Sequence, residues 1–96
     1  MRVRFRQRAG QDVERAAQWY EGRLVGLGIR FISEIHRTVG QIAERPTSYP
    51  SVHRDVRRTL VSTFPFAVYY RLRDDDVVVI AVVHTTRQPR SWRQRT

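Results

Sequence analysis

Residues Arg2–Arg8 alternate strictly, with Arg2, Arg4, Arg6 and Arg8 on one side and Val3 and Phe5 on the other. Alternation with period two predicts a half-buried strand carrying an arginine stripe on its open face. The period then changes. Val13, Ala16, Ala17, Tyr20 and Leu24 fall at i, i+3, i+4, i+7 and i+11, one apolar stripe of a helix. Gly26 and Gly28 bracket Leu27 and predict its stop. The helical spacing restarts with Phe31, Ile32, Ile35, Val39 and Ile42. Pro46 ends it, because the residue before proline is pushed out of the α region. Two amphipathic helices with so short a connection predict an antiparallel hairpin.

Beyond a stretch rich in turn formers (46–55), the pattern becomes β again. Val56–Phe64, Phe66–Arg73 and Val77–His84 are dense in β-branched and aromatic residues, which predicts three further strands. Asp74 and Asp75 suit a tight turn between the last two, and Pro65 predicts a turn or bulge between the first two. Val77–Val83 is apolar at every position, the mark of an interior strand. The end of the chain, Thr85–Thr96, holds four arginines, Pro89 and Trp92 with no acidic residue, and fits a short helical turn or an extended tail. The predicted order is therefore β-α-α-β-β-β, an α+β fold with the helical hairpin on one face of a mostly antiparallel sheet.

Composition narrows the class. Ninety-six residues suit one domain, 1–96. The absence of cysteine removes disulfides and thiolate metal sites, and fits the reducing cytosol. The arginine-rich first ten residues do not read as a signal peptide. The longest apolar run, Val77–Val83, is roughly a third of a membrane span, so a cytoplasmic location with no membrane contact is expected. Three histidines without close spacing make no metal site, and no cofactor is expected.

Charge changes the picture most. Eighteen basic residues, all arginine, oppose nine acidic ones, for a net charge of +9. Guanidinium groups favour planar, bidentate pairing with carboxylates or phosphates. Such an excess implies an anionic partner, either nucleic acid or an acidic protein segment, and composition does not choose between them.

Particular residues point to a family. Trp19-Tyr20-Glu21, then Gly26-Leu27-Gly28 and Phe31, resemble the helical hairpin of ParE-like toxins. Arg57-Arg58, Phe64-Pro65-Phe66, Tyr69-Tyr70 and the closing set His84, Arg87, Pro89, Trp92 and Arg93 follow in the order and spacing of that group. Over nearly its whole length the chain resembles the RelE/ParE superfamily of type II toxin–antitoxin systems, and its ParE branch more closely. The resemblance implies a helical hairpin on an antiparallel sheet with a basic C-terminal end. It also implies an acidic cognate antitoxin that wraps the toxin, and contact with operator DNA only through that antitoxin. RelE-like members cut messenger RNA on the ribosome, whereas ParE-like members inhibit DNA gyrase without catalytic groups.

Cutting RNA by a 2′-hydroxyl attack needs a group to activate the hydroxyl, cations for the pentavalent phosphate and a proton donor for the leaving oxygen. Against the RelE-like set, Arg57 and Thr59 stand at two lysine positions, and Phe66 replaces a strand arginine. Arg87 matches, while Arg93 replaces the C-terminal tyrosine. The resemblance therefore leans towards a gyrase inhibitor. The alternatives are an endoribonuclease using His84, Arg87 and Arg57, or an inert basic module that only binds antitoxin.

The expected target contacts are Arg87, Arg90, Trp92, Arg93 and Arg95. This basic cluster around an aromatic suits RNA, an acidic antitoxin segment or, through Trp92, the stapling of the tail onto the sheet. The expected antitoxin contacts are Trp19, Tyr20, Arg57 and Arg58. Arg57 and Arg58 should point to opposite faces of their strand, and the one under the helices needs a buried partner such as Asp55 or Glu44. His36 and His53 read as ordinary surface residues.

Overall fold

The computed structural model describes residues 1–96. Its elements run β1 (Arg2–Phe5), α1 (Gln7–Arg23), α2 (Leu27–Glu44), β2 (Ser51–His53), β3 (Val56–Leu60), β4 (Phe66–Arg73), β5 (Asp76–His84) and α3 (Arg90–Arg93). The predicted β-α-α-β-β-β order holds, with two additions. A three-residue strand, β2, forms inside the segment read as turns, and the tail closes in one helical turn.

The sheet order is β1-β5-β4-β3-β2. β5 is interior, as its uniform apolarity requires, between antiparallel β4 and parallel β1. The sheet is thus mixed, with β1 its single parallel member. The first strand is shorter than its alternation predicts. It stops at Phe5 because Gln7 opens α1, so Arg8 belongs to the helix rather than to the arginine stripe. Nor is that stripe uncompensated. Arg2 and Arg4 both bind Asp76, at 3.1 and 2.8 Å, which clamps the chain start to β5.

The hairpin explains the Glu21/Gly26/Gly28 motif. Gly26 takes φ 92°, a left-handed turn open to glycine, and its N–H donates to the Glu21 carboxylate at 2.9 Å. Gly28 lies inside α2 and does not stop α1. A Cβ there would stand 2.6 Å from the Ala17 carbonyl, so glycine permits the close approach of the two helices.

Two apolar clusters fill the faces of the sheet. Phe31, Ile35 and Ile42 of α2 pack on Val68, Tyr70, Val77, Val79 and Val82. Val56, Ala67, Tyr69, Val78, Ile80, Ala81 and Val83 form the second cluster on the opposite face, covered by Trp92. A bulge makes this division possible. Tyr69 pairs with Ala81 and Tyr70 with Val79, so Ile80 is the extra residue of β5. It joins Ala81 on the rear face and shifts the alternation that follows.

Candidate functional site

The basic tail is held by two anchors. Trp92, 4% exposed, stacks on Tyr69 with ring centroids 4.3 Å apart and planes inclined by 19°. Arg95 reaches through to α1, where its guanidinium meets both carboxylate oxygens of buried Asp12 at 2.6 and 3.1 Å. The same guanidinium donates to the Ile80 carbonyl at 3.1 Å, and Asp12 accepts the Val82 N–H at 2.9 Å. These backbone groups lie beyond Val79, the last residue of β5 paired with β1. The ion pair therefore satisfies the strand edge that β1 leaves uncovered. Arg6 adds a hydrogen bond to the Arg95 carbonyl at 3.0 Å.

This geometry corrects the expected target contacts. Arg95 is committed internally and Trp92 is the staple, so neither side chain is available as a docking group. Arg87, Arg90 and Arg93 are exposed and pair with no carboxylate of the chain. Arg93 lies along the Trp92 ring, 5.4 Å from its centroid. The tail is thus an anchored platform with three outward guanidiniums.

A cleft of about 780 Å³ opens between α1, the end of β5 and this tail. Arg8, Arg15 and Trp19 line it from α1, His84 from β5 and Arg87 from the tail, with Phe66 in its wall. His84 accepts from the Thr86 N–H through Nδ1 at 3.2 Å, and its ring meets Phe66 edge-on at 5.4 Å. The strand-end histidine is thus bonded to backbone. Trp19 is 56% exposed, with the Arg23 guanidinium 4.5 Å over its ring.

The four residues expected to meet antitoxin do not share a surface. Tyr20 is half-buried in an aromatic cluster with Phe31, Phe64 and Phe66, and that burial raises its phenol pKa. Arg57 and Arg58 do take opposite faces, since their partners across the ladder, Tyr70 and Tyr69, belong to different clusters. The buried partner anticipated for Arg57 is neither Asp55 nor Glu44. Its guanidinium donates to the Tyr49 carbonyl at 2.6 Å and the Thr47 carbonyl at 3.1 Å, fastening the loop after α2. Asp55 instead binds Arg71 and Arg73, and these cations hold its carboxyl below the usual range. Arg58 lies over Tyr69 at 5.7 Å. His53 also departs from expectation. It sits in β2 against the Trp92 ring, and desolvation, then Arg93 and Arg54, lower its pKa.

Asp12 escaped sequence reasoning, although a signal was present. Arg8, Asp12, Arg15 and Trp19 fall at i, i+4, i+7 and i+11, a second stripe of α1 beside the apolar one. Asp12 pairs with neither Arg8 nor Arg15 but with Arg95 from the end of the chain.

Comparison with known proteins decides the family. The family model described as the ParE toxin of the type II toxin–antitoxin system parDE matches residues 3–89. The chain belongs to the ParE toxin family. Among solved structures it is similar to the chromosomal ParDE toxin–antitoxin system from P. aeruginosa, with a TM-score of 0.73 and 18% identity. That similarity covers 88% of this chain and 95% of the other, and it shows a shared fold. Comparison with curated proteins gives no match. Membership of the ParE family implies an antitoxin partner. No helix is long and apolar enough to cross a membrane.

Proposed function

We propose that this ParE-family toxin acts in the cytoplasm by binding DNA gyrase through its C-terminal platform, and that an acidic cognate antitoxin holds it inactive. The observation that carries this reading is the rigid presentation of Arg87, Arg90 and Arg93 by a tail anchored at Trp92 and Arg95. Fixed cations dock without the entropy cost of ordering a loose tail, and rim charges speed the encounter with an acidic surface. The positions where RelE-like nucleases carry their catalytic cations support the same conclusion. Arg57 is occupied by two carbonyls, and Phe66 belongs to an apolar wall.

A second reading, an endoribonuclease, has one observation in its favour: His84 and Arg87 line the same basic cleft. One preparation separates the two. Controlled expression should arrest growth, and the purified protein should block gyrase supercoiling while leaving messenger RNA on programmed ribosomes intact. Position-specific RNA cleavage lost in Arg87→Ala, with supercoiling unaffected, would replace the gyrase reading by the nuclease one.

A further inference from the structure

The helical hairpin covers one face of the sheet, and the short α3 closes only the Trp92 end of the other. The rest of that second face is lined with arginine. Arg2 and Arg4 of β1 pair across the ladder with Asp76 and Val78, and Arg71 and Arg73 of β4 pair with the same two residues from the other side. Arg58 of β3 is paired with Tyr69, and Arg93 lies over the Trp92 ring. Two carboxylates answer these six cations, and each is shared. Asp76 takes Arg2 and Arg4, and Asp55 takes Arg71 and Arg73, which leaves the face an excess of four positive charges.

Arg58 is the least compensated of them. It is half-buried over Tyr69, its buried Nε has no hydrogen-bond partner, and no carboxylate lies within salt-bridge distance. A guanidinium partly withdrawn from water without an anion is costly, and a phosphate from outside would offset that cost.

We propose that this open face of the sheet binds the phosphate backbone of double-stranded DNA without reading its sequence. Cations from β1, β4, β3 and α3 are spread across strands about 4.8 Å apart, which suits a repeating line of phosphates better than one isolated anion. Single strands fit less well, because their bases need open ring faces on which to stack. Tyr69 and Trp92 are 6% and 4% exposed, stacked on each other, and each already carries a guanidinium. Duplex RNA displays 2′-hydroxyls, which call for acceptors as well as donors, and both carboxylates of this face are taken by arginine. An acidic protein segment needs apolar anchors among the charges, and Leu60 is the one large apolar side chain exposed here. A contact to phosphates alone is separate from operator recognition through an antitoxin. It requires neither the gyrase reading nor the antitoxin reading.

The test follows binding of the full chain to a labelled duplex of about 20 base pairs by fluorescence anisotropy, from about 50 to 200 mM salt. Each phosphate neutralised adds about −0.9 to the slope of log affinity against log salt, so the parent chain should give about −3 to −4. Arg58→Gln with Arg93→Gln should make the slope shallower by roughly two, for any duplex sequence and with an unchanged melting temperature. Arg15→Gln with Arg87→Gln removes the same charge from the cleft side and should leave the slope as it was. If the first pair unfolds the chain, Arg4→Gln with Arg93→Gln, both exposed, serves in its place. Equal losses from the rear and cleft pairs would show diffuse attraction and no site. Binding of single-stranded DNA, duplex RNA or polyglutamate as tight as that of duplex DNA would likewise overturn the proposal.

Discussion

The carboxylate of Asp12 and the guanidinium of Arg95 meet at 2.6 Å across 83 positions of sequence, joining the first helix to the end of the chain. Both side chains are nine-tenths buried or more, and each also satisfies a backbone group of β5. Removing one partner strands the other as a buried charge, which costs about 3–5 kcal/mol. Asp12→Ala and Arg95→Ala should each lower the melting temperature sharply and expose the tail to limited proteolysis. The double substitution should cost clearly less than the sum of the two. Additive losses would show that the pair is not coupled.

Trp92 is the second anchor, and its removal acts through packing. Trp92→Ala takes a ring from the stack on Tyr69 and should destabilise the fold by about 3–5 kcal/mol. Trp92→Phe keeps a ring on Tyr69 and should lose far less. Thermal unfolding of both variants, followed by circular dichroism, separates loss of a staple from loss of a mere surface residue.

Gly28 is set by proximity rather than by dihedral angle. A Cβ there would stand 2.6 Å from the backbone oxygen of Ala17, and backbone cannot swing aside. Gly28→Ala should therefore cost about 1–3 kcal/mol through overpacking. Gly40 is the control, helical and with open space where a methyl group would sit. Gly40→Ala should stabilise by about 0.4–1 kcal/mol, because alanine has less unfolded-state freedom to lose. Chemical denaturation of the two variants should move the midpoints in opposite directions.

Acid should weaken the fold through groups whose pKa values are lowered on folding. Hydrogen bonds from Arg2 and Arg4 hold the Asp76 carboxyl low, and that from Arg73 does the same for Asp55. For such carboxylates the unfolded chain binds the proton more readily, so stability rises with pH. Their contribution is present above the ordinary carboxylate range, about pH 4, and is lost as pH falls through the folded values. His53 acts with the same sign at higher pH. Its lowered pKa means that acidification below about pH 6.5 favours the unfolded, protonated form. Asp76→Asn should flatten the steep acid limb of a stability–pH profile, and His53→Gln the shallow part above it. A profile unchanged in Asp76→Asn would assign the acid limb to other carboxylates.

These contacts also mark how far the sequence could be read. The hairpin, the interior strand and the turn at Asp74–Asp75 were legible because each is written in local periodicity or turn chemistry. The parallel pairing of β1 with β5 was not, since alternation tells that a strand exists and not where it pairs. β2 was hidden by its length of three residues among turn formers. For the site, the basic tail and Trp92 as its staple were legible, while Arg95 was misplaced because its partner lies in the first helix. The partner of Arg57 was unreadable for another reason: backbone carbonyls leave no signature in side-chain identity.

The proposed function makes the platform the seat of toxicity. Arg87 and Arg93 are exposed, lack carboxylate partners and stand on a segment held between the end of β5, where the Arg87 N–H donates to the His84 carbonyl at 2.9 Å, and the anchors Trp92 and Arg95. Truncating them leaves the anchors in place, so the melting temperature of Arg87→Ala with Arg93→Ala should stay close to that of the parent chain. Each lost charge-assisted contact is worth roughly 1–3 kcal/mol where the target desolvates it and far less where it stays wet. Where the target desolvates both, the two losses should reduce its affinity by orders of magnitude, and controlled expression of the double variant should no longer arrest growth. Antitoxin binding that relies on the helical hairpin should weaken less, since both changes lie outside α1 and α2. A double variant that folds normally and still arrests growth at wild-type potency would show that toxicity resides elsewhere on the molecule.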